Sequence, residues 1–241
     1  MKIVLLQNFF HHPQRHQEHL FCMRKNDENP WVDQIILAVD KKSPAAEEAV
    51  QGLRKTVLME TGREREKYAD MFRLTEKNTD KGDLAILANL DIFFDQTLSC
   101  LRDFTEWDKA VMALSRWNYL SDGSIKPFKM DNSQDVWVWR TPLNTAGMHL
   151  DFALGEPGCD NRIAYELARN YHVVNPCKTI KSLHCHQFEC PDYTMVPKVP
   201  PPYKTVPRTT LKGAVKQCRR ACRTAETGKW SFFRRIIVNR Q

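Results

Sequence analysis

The chain has 241 residues, 42% hydrophobic and 27% charged, a balance ordinary for a globular protein. That length suits one large α/β domain, or a domain with an appendage, and it is ample for a packed core. No apolar run approaches the roughly 20 residues of a membrane-spanning helix, which argues against a helical integral membrane protein. The net charge of +7 is uneven. Residues 204–241 carry 11 Lys/Arg and one acid, Glu226, a local +10 that leaves the first 203 residues near −3. Such an end suits acidic partners or an anionic membrane surface, or is simply a solvated helix face.

The first segment, "KIVLLQNFF" (2–10), lacks a small-residue cleavage site and reads as a buried strand rather than a signal peptide. Residues 13–26 read as a helix, and "VDQIILAVD" (32–40) as a second strand ending in Asp40. "SPAAEEAVQGLRK" (43–55) has Pro near a helix start. "TVLME" (56–60) is a short third strand. In residues 63–78, Tyr68, Met71, Phe72 and Thr75 recur at helical spacing. "DLAILANLDIFF" (83–94) is the fourth strand. This alternation predicts a mainly parallel sheet covered by helices. Beyond residue 100, "KAVMALSRW" and "DVWVWR" read as strands and "NRIAYELARNY" as a helix. The Pro-rich residues 196–207 read as an extended linker to a basic helix near 210–225.

There are eight cysteines and no CxxC. Without a signal peptide, reduced thiols are expected. Cys185, Cys190, His184 and His186 crowd "HCHQFEC", but the spacing matches no standard zinc finger.

The stretch "LANLDIFFD" carries the chemistry. In open α/β sheets, ligands bind outside the carboxyl ends of the strands. Alternation along a strand would put Asn89 and Asp91 on one face there. Hard oxygen ligands at that edge suit Mn²⁺ or Mg²⁺ shared with substrate phosphates. Asp95, before "QTLSCL", reads as a helix cap.

"LANLDIFFD" is similar to the metal-binding DxD-type motif of glycosyltransferases with the glycosyltransferase-A fold. The chain resembles a family of such enzymes found in large algal viruses, bacteria and algae. Four blocks carry the resemblance: residues 62–72, 86–98 ("ILANLDIFFDQTL"), 133–140 ("SQDVWVWR") and 155–186 ("GEPGCDNRIAYELARNYHVVNPCKTIKSLHCH"). It covers roughly residues 1–203 and implies a catalytic domain there, with residues 204–241 as a basic helical extension.

The resemblance implies roles. Asp91, with Asn89, would meet the metal bridging a nucleotide-sugar diphosphate. Asn8 and Asp40, at strand ends, would hold base and ribose, although Asp40 also suits a plain turn. Arg65 and Tyr68 would line the donor site, with Arg63 nearly as well placed. Asp160, before a helix, would be the base of an inverting transfer, or an ordinary cap. Asp135 is the rival acid, for sugar hydroxyls or as base, and Trp137 beside it reads as core. His184 and His186, two apart on a strand, would offer a further metal ligand. One departure stands out: where the family leads one to expect a basic residue, "FECPDY" has Pro191 and Asp192.

The expected activity is thus sugar transfer from a nucleotide-sugar, with uridine the usual nucleotide, to a hydroxyl of a glycan or glycoconjugate in the cytoplasm. A sugar nucleotidyltransferase is the first alternative, but "QNFFHHPQRHQ" lacks the Gly-rich phosphate loop that reaction wants. The second is a binding module acting through the basic C-terminal segment, where cations mix with Trp230, Phe232 and Phe233. Nucleic acid is not the expected partner. The tail is expected to dock back on the domain or to recruit it to a membrane.

Overall fold

The computed structural model describes residues 1–41, 43–63, 65–185 and 197–226, the side chains of 223–226 excepted. His186, Cys190, Pro191, Asp192 and the aromatic residues after 226 lie outside the described residues. The elements run β1 (Ile3–Asn8), α1 (His16–Glu28), β2 (Gln34–Val39), α2 (Pro44–Val50), β3 (Thr56–Glu60), α3 (Tyr68–Asn78) and β4 (Leu84–Ala88). Next come β5 (Ile92–Phe94), a 3-10 helix (Gln96–Asp103), β6 (Ala110–Leu114), β7 (Trp117–Tyr119), β8 (Ile125–Pro127) and β9 (Val136–Arg140). The chain continues through α4 (Cys159–Leu167), β10 (His172–Val174), β11 (Ser182–Cys185) and α5 (Leu211–Glu226).

Seven strands form the central sheet in the order β10-β6-β9-β4-β1-β2-β3, with only β9 antiparallel to its neighbours. Successive side chains go to opposite faces. Ile3 and Leu5 of β1 join Leu84 and Ile86 in one apolar cluster, while Val4 and Leu6 join Ala85 and Leu87 in another. Burial on both faces is why these strands read as unbroken apolar runs. α3 and α4 cover the second cluster, which also takes in Trp137 and Trp139. The first is closed by Leu98 and Leu101 of the 3-10 helix and by Ala214 and Cys218 of α5. α5 therefore has its apolar face in the core and Lys212, Lys216, Arg219 and Arg220 in solvent. The Pro-rich stretch is extended, and its Val199 and Val206 are buried in the second cluster.

Parallel strands deliver their carboxyl ends to one edge, and β9, running the other way, delivers its amino end there. Val136 pairs with both Ala88 and Leu114. Asn8, Asp40, Asn89, Arg116 and Asp135 thus emerge at the same edge.

Two expectations need correction. Residues 83–94 are two strands, not one. β4 stops at Ala88, the chain turns over Asn89–Asp91, and β5 enters a second sheet, β5-β11-β7-β8. Side chains hold that turn. Buried Gln7 donates from Nε2 to the carbonyls of Asn89 (2.8 Å) and Ile92 (3.4 Å). Buried Asn26 donates to the Ile92 carbonyl (2.9 Å) and accepts from the Phe94 N–H (3.1 Å). Asn89 and Asp91 therefore do not share a strand face. Likewise, α3 begins at Tyr68 rather than near 63. Lys67 bridges Ala153, and the N–H of Leu154 donates to the Glu66 carbonyl at 3.1 Å. Backbone committed to that pairing cannot also start a helix, so Arg65 precedes α3.

Replacing Gln7 by Leu keeps the volume and removes the turn's buried donor. Leaving a buried carbonyl short costs about 1–3 kcal/mol. The expected result is a lower urea midpoint at unchanged slope. An unchanged midpoint would show that the turn is held by other means.

Candidate active site

Two charged centres stand at this edge. The first surrounds Asp91. β11 pairs with β5 so that His184 lies opposite Ile92, and the Cys185 N–H donates to the Asp91 carbonyl at 2.9 Å. This brings His184 Nε2 to 3.1 Å from Asp91 Oδ2. The same oxygen accepts from Arg15 Nη2 at 2.8 Å, and Arg15 Nε donates to Glu18 at 2.8 Å. Asp91 is 8% exposed and His184 5%. Burial opposes the charge on Asp91, yet His184 and Arg15 outweigh it and hold the carboxyl well below the usual carboxylate range. His19, also buried nearby, is pushed down to about 4, by burial foremost, so it adds no charge at neutral pH. Asp95 caps the 3-10 helix, accepting from the Thr97 N–H at 2.9 Å.

The second centre pairs the two rival acids. Asp135, immediately before β9, accepts from Arg116 Nη1 at 3.2 and 3.4 Å. That guanidinium lies 4.4 Å from the Phe128 ring centroid, which fixes its plane. Asn89 Nδ2 approaches Asp135 Oδ1 at 3.5 Å, so Asn89 faces this centre rather than Asp91.

Asp160 lies in the first turn of α4, whose cap is Gly158 at φ 82°. A side chain there would be strained and would meet Lys198 at 3.0 Å. Asp160 is therefore not the cap. Its Oδ1 accepts from Cys159 Sγ at 3.3 Å, and the Tyr68 hydroxyl in turn donates to that sulfur at 3.9 Å. Asp160 is pushed up to about 8, by burial foremost and then by the charge of Asp135; Cys159 and Arg116 offset only part. Burial and a neighbouring negative charge each favour the protonated form of Asp160.

The remaining candidates are dispersed. Asn8 closes β1 and Asp40 follows β2, both half-buried at the edge. Arg65 is exposed ahead of α3. Tyr68 is buried against Phe72 and Phe152, and its hydroxyl meets Cys159. Sequence reasoning missed Arg15, Arg116 and buried Glu66, whose carboxyl is raised by burial foremost and also by Asp70 and Asp40. A Gln inside the apolar run of β1 was the available signal for the clamped turn. Arg15 carried none, since it lies 76 residues from Asp91.

A carboxylate oxygen beside an imidazole suits Mn²⁺ better than Mg²⁺. Among the described residues buried Asp91 Oδ1 has no hydrogen-bond partner, and His184 stands against the other oxygen. Among the described residues no group of three or more His, Cys, Asp or Glu could hold a metal alone. An ion here would complete its shell from phosphate and water, as Mg²⁺ and its relatives do. A separate groove of ≈ 380 Å³, lined by Lys81, Gly82, Trp107 and Arg140, lies at the opposite end of the sheet.

No family model matches the chain, and no curated protein matches it. Solved structures match in fold. A mannosyltransferase from Pyrobaculum calidifontis, in complex with GDP-Man and Mn²⁺, aligns over 80% of this chain and 58% of its own (TM-score 0.53, 10% identity). TarS of S. aureus, with UDP-GlcNAc, aligns over 78% and 60% (TM-score 0.56, 9% identity). GalNAc-T7, with UDP, GalNAc and Mn²⁺, aligns over 96% and 52% (TM-score 0.50, 10% identity). The chain spans between about half and three-fifths of these proteins' lengths. The sheet and its flanking helices are thus the glycosyltransferase-A fold. Among the described residues no helix is long and apolar enough to cross a membrane.

The raised Asp160 carboxyl has a measurable consequence. The folded state holds that proton up to about pH 8, against 3.8 for the free group. Its stabilising contribution is full below pH 3.8 and is lost as pH rises through 8. Asp160→Asn removes the buried charge. Its Tm should match wild type near pH 4, exceed it increasingly up to about pH 8, and keep that margin above. Each kcal/mol is worth about 2–4 °C. A Tm difference independent of pH would refute this proton affinity.

Proposed function

We propose that the chain is a metal-dependent glycosyltransferase moving a sugar from a nucleotide-sugar, expected to be UDP-linked, to a hydroxyl of a glycan or glycoconjugate. The observation that carries this reading is the juxtaposition of the Asp91–His184 pair with the Asp135–Asp160 pair at one sheet edge. The fold, and the nucleotides and nucleotide-sugars bound in similar structures, support it.

In this reading Asn8 and Asp40 receive base and ribose, and Arg65 approaches the phosphates. Asp91 and His184 hold Mn²⁺ or Mg²⁺, with His186 a further ligand. When bound, such an ion neutralises the charge gathering on the leaving diphosphate. Asp160 takes the proton of the acceptor hydroxyl. That oxygen attacks the anomeric carbon opposite the departing phosphate oxygen, which inverts the centre. Asp135 keeps the proton affinity of Asp160 high, and Arg116 and Asn89 keep Asp135 in place. A base tuned to neutrality is the effective kind. Residues 1–203 form the catalytic part. The exposed cations of α5 and the basic residues after it make a peripheral contact with a membrane in the cytoplasm.

The test is calorimetry with UDP, GDP and their sugars, with and without Mn²⁺. Binding should require the metal and vanish in Asp91→Asn. In Asp160→Asn, donor binding should persist while kcat falls about 10²–10⁴-fold. Wild-type turnover should rise with pH toward about 8 as Asp160 loses its proton. A folded protein that binds no nucleotide with any metal would sink the proposal.

A further inference from the structure

We infer that Arg15 is a built-in cation that occupies Asp91 until a divalent metal arrives, so that metal binding and the Arg15–Asp91 ion pair exclude one another. This rests on the reading of Asp91 as a metal ligand and adds a positioning residue to it.

Arg15 precedes α1, in the loop that follows β1 at the ligand edge of the sheet. Its side chain is 20% exposed and that of Asp91 is 11%. The guanidinium is held at two corners, by Glu18 through Nε and by Asp91 through Nη2, both at 2.8 Å. Nη1 makes no hydrogen bond among the described residues. Among the described residues Asp91 uses Oδ2 alone, while its buried Oδ1 has no hydrogen-bond partner. A carboxylate so enclosed needs a cation, and Arg15 supplies one on one oxygen only. A divalent ion ligated by Asp91 would stand within a few ångströms of the guanidinium. Like charges at that distance repel strongly in a partly buried site. Arg15 must then leave Asp91. Glu18 still tethers it through Nε, which confines its swing to the same edge. The anion that arrives there with the metal is the donor diphosphate, and a guanidinium matches phosphate oxygens in bidentate fashion. Arg15 thus stands in for the metal before donor binding and clamps the diphosphate after it.

The test uses the full chain. Mn²⁺ alone is titrated by calorimetry into wild type, Arg15→Gln and Arg15→Lys, each checked for fold by circular dichroism. Arg15→Gln should bind Mn²⁺ about tenfold tighter, a factor that corresponds to about 1.4 kcal/mol, whereas Arg15→Lys should stay near wild type. With Mn²⁺ saturating, UDP or GDP should bind Arg15→Gln about tenfold more weakly. A measurement on wild type covers the case in which Arg15→Gln does not fold. The Arg15 Nη–H signal, assigned through its loss in Arg15→Lys, should shift on Mg²⁺ addition as the Asp91 contact made by Nη2 breaks. Unchanged or weaker Mn²⁺ binding in folded Arg15→Gln, or an unmoved signal in wild type that binds Mg²⁺, overturns the inference and leaves the glycosyltransferase reading intact. Mn²⁺ binding by neither wild type nor Arg15→Gln overturns both.

Discussion

An ionised carboxylate in a nearly closed position has to be neutralised, and the neutralisation of Asp91 organises the ligand edge. Removing the partner of a buried charge costs about 3–5 kcal/mol. Asp91 meets that requirement with Arg15 from ahead of α1 and His184 from β11. For either to reach it, the chain after β4 must leave the central sheet. Gln7 and Asn26 enforce that departure by taking up the carbonyls the turn leaves without ladder partners. The second sheet then follows as a consequence, because β5 needs a partner and β11 brings His184 in pairing with it.

The other centre depends on the reversed strand. Had β9 run parallel to its neighbours, Asp135 would sit at the far end of the sheet, beside Gly82 and the distal groove. Running antiparallel, it sets Asp135 beside Asn89 and Arg116. α4 then delivers Asp160 from the other side, through a left-handed glycine and a Tyr68–Cys159 contact beneath it. The two acids differ in surroundings rather than in type. Arg116 pairs with Asp135, while burial and the neighbouring charge keep a proton on Asp160. Divergent environments of this sort separate the roles of two carboxylates.

The alternation of strands and helices was legible because each depends on local periodicity, and β1, β2 and β4 declare themselves through apolar runs buried on both faces. The acids at the strand ends were legible for the same reason, since a run's end marks the edge. What periodicity could not reveal was the break at Asn89–Asp91. "LAILANLDIFF" is apolar enough to pass for one strand, and the side chains that break it are Gln7 and Asn26, remote in sequence. The start of α3 was hidden likewise, since the pairing of Lys67 with Ala153 is a tertiary contact overriding helix formers in "REREK". The sequence left Asp160 open between a helix cap and a base, and it is the backbone of Gly158 that excludes the cap.

Charge at the edge also bears on the metal. Asp40, Asp91 and Asp135 gather there beside Glu66 and Asp160, whose protons burial holds more tightly, and the first 203 residues are acidic overall. Of the described cations, Arg15 and Arg116 are each committed to a carboxylate, and exposed Arg65 stands ahead of α3. In the proposed reading a diphosphate approaching this edge meets these carboxylates, and positive charge arriving with it offsets them. The basic residues of α5 do not supply it: α5 packs on the first apolar cluster, and Arg219 is spent on Glu106. A divalent cation at Asp91 reverses the balance locally, and a guanidinium released from Asp91 reverses it further. In the proposed reading, a cation arriving with the anionic ligand offsets the acids of this edge, and the carboxylate at the end of β4 is placed to hold it.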